Sequence, residues 1–146
     1  MANPVRAEEL QLKPLAPTIE RLEKSQDPDP SELAYVAARG AALFVAMSGY
    51  LNKNAADDRD RKISDDLFEK AKPYYVSAQI IGTSTGKTKE TVDQQIKLIV
   101  DAYSVMMVKS KQLNNTIVSP QIESDMEALK RLETTFVEFA KETQGK

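Results

Sequence analysis

The chain contains neither cysteine nor histidine. Without thiols there is no disulfide, no thiolate nucleophile and no zinc finger. Without imidazole there is no serine–histidine triad, no histidine general base, no histidine-ligated haem and no Glu-x-x-His diiron pair. Glycine is scarce, with five residues, and neither sign of charge dominates, since 20 lysines and arginines stand against 22 aspartates and glutamates. Balanced charge gives no electrostatic footprint for nucleic acid. Even the most basic stretch, Gly86 to Val118, carries five lysines against three acids.

What is present suits one soluble domain: 146 residues, 41% hydrophobic and 29% charged, enough to bury a core without staples. The first ten residues carry charges and no apolar stretch, so no targeting signal is expected there. The composition suits the cytoplasm and equally, for a mature exported domain, the periplasm or exterior.

Prolines divide the chain. Five of the seven fall in the first thirty residues, which predicts a proline-rich arm over 1–29 and a helical domain over 30–146. Within the arm, Leu15, Ile19 and Leu22 recur at helical spacing around Pro17, predicting a short helix that ends near Ser25. Asp29-Pro30-Ser31-Glu32 reads as an N-cap, a proline at N1 and an acid at N3, opening a helix to about Leu51. That helix is apolar nearly all round, as expected of one buried among others. Arg39 interrupts it, and the uncharged part from Gly40 to Asn52 is too short for a bilayer span of about 20 residues, so no membrane span is expected.

Lys53 to Lys62 is expected to be a charged connection, with Ser64-Asp65-Asp66 capping the next helix. Leu67, Phe68, Ala71, Tyr75 and Ala78 mark its apolar face, Pro73 is expected to kink or restart it, and Tyr74 to Ile81 has strand-like composition. Val92, Ile96, Ile99, Tyr103, Met106, Ser110 and Leu113 then form a heptad seam, and Ser119-Pro120 opens a last helix to about Glu142. Two long helices joined by the short connection Asn114 to Val118 are expected to pack antiparallel. The sum is an all-α protein, an antiparallel four-helix bundle with an N-terminal arm.

Four constellations bear on function. Gly82-Thr83-Ser84-Thr85-Gly86-Lys87-Thr88 resembles a phosphate-binding loop, in which Gly82, Gly86, Lys87 and Thr88 would be the contacts. Only three residues separate its glycines where four are needed, and no alternating strands supply the sheet. A nucleotide site is therefore disfavoured against an interhelical loop in which Gly82 ends one helix and Thr85 or Thr88 caps the next. The acidic clusters at Asp27 and Asp57 fail as calcium loops: the sixth positions are Glu32 and Lys62 and the twelfth are Ala38 and Phe68. No metal or cofactor is expected.

Arg39, alone in its apolar helix, is expected to pair with a buried acid or lie on a narrow exposed face, with an anion site as the functional alternative. With Met47, Tyr75, Tyr103 and Met106 it makes a candidate pocket for a small apolar or anionic ligand in the bundle interior. Leu98, Ala102 and Val105 gather on a second apolar stripe of the heptad helix, which requires cover by the arm or by another chain. With no catalytic constellation, the expected function is a non-enzymatic interaction or assembly module working with a protein partner or as a homodimer; the alternative is a ligand carrier.

Overall fold

A computed structural model describes residues 11–144, which form five helices and no strand: α1 (Ala16–Lys24), α2 (Pro30–Lys53), α3 (Asp58–Ser84), α4 (Lys89–Asn114) and α5 (Pro120–Gln144). The all-α class expected from the sequence is what the chain adopts. The first ten residues of the arm, where no targeting signal was expected, and the last two of the chain lie outside the described residues.

Local chemistry sets most helix boundaries. The Asp29 carboxylate accepts from the Ser31 amide and Pro30 opens α2. Thr88 caps α4 by accepting from the Thr91 amide at 3.1 Å, and the Ser119 hydroxyl accepts from Ile122 N at the start of α5. Asn115 ends α4 in the left-handed region at φ 59°, a conformation asparagine tolerates better than most residues.

Helix α3 corrects several expectations. It begins at Asp58, with the Asp57 side chain accepting from the Asp60 amide, so most of the charged stretch is helix and the connection shrinks to four residues, 54–57. Acids at the first turn favour this start through the helix dipole. Pro73 neither ends nor restarts the helix, and Tyr74 to Ile81 is helical despite its strand-like composition. Propensity is a weak prior here, because the segment buries Tyr74, Ser77 and Ala78 at helical spacing. Gly82 does not end the helix either. It lies within α3, where an added Cβ would come 2.9 Å from Val92 Cγ2, so its role is to let α3 and α4 approach. The stop falls at Gly86, at φ 99°. There Lys87 N donates to Gly82 O and Gly86 N to Thr83 O, each at 3.1 Å, the paired bonds of a Schellman end.

The centre of the molecule is the antiparallel α2–α3 pair. Ser48 and Ser64 exchange reciprocal hydrogen bonds, each hydroxyl donating to the other's carbonyl at 2.7 and 2.8 Å. Further along, Gly40 lies against the Tyr74 ring. Small residues are buried on both helices, Ala37, Gly40, Ala41 and Ser48 on α2 and Ser64, Ala71 and Ala78 on α3, and short side chains let helix axes come close. Helix α2 is long and apolar enough to cross a membrane by composition, but thirteen of its residues are buried among the other helices.

Helix α4 packs on α2 and α3, whereas α5 packs on α3, α1 and the edge of α2. The consecutive helices α4 and α5 both turn chiefly to the apolar α2–α3 pair and meet each other through the hydrogen bond from Tyr103 to Asp125. From the arm, Leu12, Leu15, Ile19 and Leu22 join the same core as α2 to α5. Gln121 Nε2 donates to Leu12 O, and Arg131 pairs with Glu23 at 2.6 Å, so the arm is laid along α5.

Candidate functional site

Three side chains from three helices converge on one buried network. Arg39 of α2 and Asp125 of α5 are 1% and 0% exposed and pair at 2.8 Å, Nη2 donating to Oδ2. Tyr103 of α4 stands between them: its hydroxyl accepts from Arg39 Nε at 2.9 Å and donates to Asp125 Oδ2 at 2.7 Å. One turn before Arg39, Tyr35 accepts from Nη1 at 3.1 Å, and the guanidinium carbon lies 5.7 and 5.3 Å from the Tyr35 and Tyr103 ring centres. The other carboxylate oxygen, Oδ1, accepts the backbone N–H of Leu15 at 2.9 Å. Arm, α2, α4 and α5 thus meet at one ion pair.

Burial disfavours the Arg39 charge, yet the oxygens of Tyr103, Tyr35 and Asp125 outweigh that and hold its pKa above the ordinary guanidinium value. Burial pushes the Tyr103 hydroxyl strongly upward, and the Asp125 charge adds to this. Each nitrogen of Arg39 faces a protein oxygen. The arrangement is suited to holding four segments in register, with three of the five guanidinium N–H groups spent on protein oxygens.

The other candidate pocket residues take no part in the hydrogen bonds around Arg39. Met47 is buried in the core and Met106 half-buried at its margin. Tyr75 lies in a separate groove between α3 and α4. The stripe is split in the same way, since Ala102 is core while Leu98 and Val105 are half-buried. In the glycine-rich segment, Gly82 and Gly86 serve helix approach and helix termination, the Lys87 amide closes the Schellman end and Thr88 caps α4. Among the described residues no group of three or more acids could hold a metal.

The groove was not legible as such. It is lined by Val45 of α2, Phe68, Ala71, Lys72, Tyr75 and Val76 of α3 and Ile96 of α4, with a volume of about 360 Å³. A second depression of about 280 Å³ adjoins it, sharing Tyr75 and Val76 and lined further by Gln79, Thr83, Lys89 and Asp93. Phe68 and Tyr75, expected on the core face, are 49% and 41% exposed. The sequence signal was the neighbouring set Ser64, Ala71 and Ala78, spaced by seven, which takes the face toward α2 and rotates the aromatics outward. Asp93 Oδ1 accepts from the Tyr75 hydroxyl at 2.7 Å and from the Gln79 carboxamide, and the bond from Tyr75 to Asp93 raises the Tyr75 pKa.

No family model, curated protein or solved structure matches the chain.

Proposed function

We propose that the protein is a non-enzymatic helical interaction module whose partner-binding face is the groove between α3 and α4. The observation that carries this is the pair Phe68 and Tyr75, two large aromatic side chains half-exposed on the wall of an apolar depression. Aromatic residues in concave apolar settings are the usual anchors of protein interfaces. The interior offers less: Arg39 is committed to Asp125 and the tyrosines, so a carrier using the core around it has little support from the geometry. The stripe Leu98, Ala102 and Val105 also carries less weight as a homodimer surface, because Ala102 is buried within the chain. One observation favours a small-molecule ligand in the same groove, namely its volume, which falls within the roughly 300–1,000 Å³ of ligand sites.

The test is affinity capture from the native proteome with three baits: wild type, Phe68→Asp and, as a control on another exposed face, Val108→Asp. A defined protein should be retained by wild type and Val108→Asp and lost by Phe68→Asp. Equal retention by all three would show that the groove is not the partner face.

A further inference from the structure

We propose that the occupant of the groove is an amphipathic helix of another protein, laid along α3 with its apolar side on Phe68 and Tyr75 and with carboxylates on its flanks facing Lys72 and Lys89. This rests on the interaction-module reading above and names the chemistry of the partner.

Shape is the first argument. The two depressions share Tyr75 and Val76 and together follow α3 from Phe68 to Thr83. At 1.5 Å per residue that is about 22 Å, or about four helical turns. Adjoining depressions over that length, meeting at the half-exposed Tyr75 and with helices for walls, match a rod better than a compact ligand, and helix-in-groove recognition recurs in such settings.

Spacing is the second. Phe68 and Tyr75 are seven residues apart and Gln79 follows four later, so α3 presents half of a heptad seam to the open side of the trough. Ile96 and Val45 form the apolar floor opposite. A partner helix with apolar residues at alternating spacings of three and four would complete that seam.

Charge is the third. The lining carries two ammonium groups, Lys72 near the Phe68 end and Lys89 near the far end, against one carboxylate, Asp93. Asp93 already accepts from Tyr75 and Gln79. Lys72 is held 5.8 Å above the Phe68 ring and pairs with Glu69 at 2.8 Å, but an exposed pair of this kind is weak enough for a partner carboxylate to share. The lining is thus biased toward positive charge, and charges at the rim of an interface help to set which partner is admitted.

The experiment is selection from a display library of 18-residue helical peptides on the immobilised full-length chain. Leucine is fixed at heptad spacing, and the flanking positions are randomised among glutamate, lysine, glutamine and serine. Wild type should enrich glutamate flanks. The enriched peptides should bind at least about tenfold more weakly to Phe68→Asp, with no loss on Val108→Asp. The Lys72→Glu/Lys89→Glu variant should select lysine flanks instead. Thermal melts of each variant confirm folding, which exposed positions allow.

Lysine flanks or no charge preference on wild type, still sensitive to Phe68→Asp, would overturn the partner chemistry while leaving the groove as a binding face. Enriched peptides insensitive to Phe68→Asp would overturn both. Failure to enrich any peptide would overturn the helix. Sedimentation showing a wild-type dimer that Phe68→Asp dissolves would make a second copy the occupant and overturn the proposal.

Discussion

Asp125 sits where an unpaired carboxylate would be intolerable. At 100° per residue it lies about 20° from both Leu132 and Phe136 on the buried face of α5. It is tolerable because Arg39, Tyr103 and the Leu15 amide together supply a countercharge and three hydrogen bonds. Removing one member of such a pair strands the other, so Asp125→Ala is expected to cost about 3–5 kcal/mol in urea unfolding. Arg39→Met added to that background should restore part of the loss, because the stranded charge is gone. A double variant no more stable than Asp125→Ala would show that the two residues are not energetically coupled.

Arg39 drew notice in the sequence by its isolation among apolar residues. Asp125 carried the same signal on the apolar face of α5, but it lies between Glu123 and Glu127, which are exposed, and so passes for part of a charged surface. Only the helical angle separates them.

Two tyrosines make a second residue-scale prediction. Burial raises the pKa of Tyr103, and burial followed by the charge of Glu133 raises that of Tyr74. A tyrosine whose folded pKa exceeds its unfolded value of about 10 contributes stability that is fully present below that pH and lost as pH rises through the folded value. Absorbance at 295 nm should therefore show two of the five tyrosines failing to ionise until the chain unfolds in alkali. Full tyrosinate absorbance in a chain that keeps its helical circular dichroism would contradict this.

At the scale of the element, α2 and α3 are matched by size rather than by polarity. Gly40 faces the Tyr74 ring, with an added Cβ only 2.5 Å from Cδ1. That ring is held between Phe44 and Phe136, at centroid separations of 5.7 and 5.5 Å. Gly49 of the same helix is exposed and meets nothing within 4 Å. The same substitution should therefore have opposite signs: Gly40→Ala destabilises by roughly 1–3 kcal/mol through overpacking, and Gly49→Ala stabilises by about 0.5–1 kcal/mol through helix propensity. Thermal melts of both decide it, and equal signs would refute the close approach.

Helix caps were legible at this scale because Asp29-Pro30 and Ser119-Pro120 are local chemistry. Which residues of α3 face inward was not, because that depends on α2 being lined with alanine and glycine. Small residues on two distant segments have to be matched to one another before Phe68 and Tyr75 can be seen to point outward.

At the scale of the whole molecule, the described residues form an α2–α3 pair flanked by α4 and α5, with the arm from Gln11 onward laid on α5. The class followed from periodicity, while the weight of each helix contact did not: α4 leans chiefly on the apolar surface of α2, and Tyr103 reaches from it to Asp125 of α5.

The hydrogen bond from the Leu15 amide to Asp125 spans 110 residues of chain. On the ribosome, the arm emerges long before the helix that receives it, so the segment made early must wait for one made near the end. A closure over so long a span is expected to form on the late side of the folding barrier. Truncating Ile19, fully buried in the core, to alanine should then accelerate unfolding and leave the refolding rate nearly unchanged, a φ-value near zero in stopped-flow measurements. A φ-value near one would mean that the arm helps start the fold instead of sealing it. Late closure would make the arm the first part to open, and the buried charges beneath it the first to meet water.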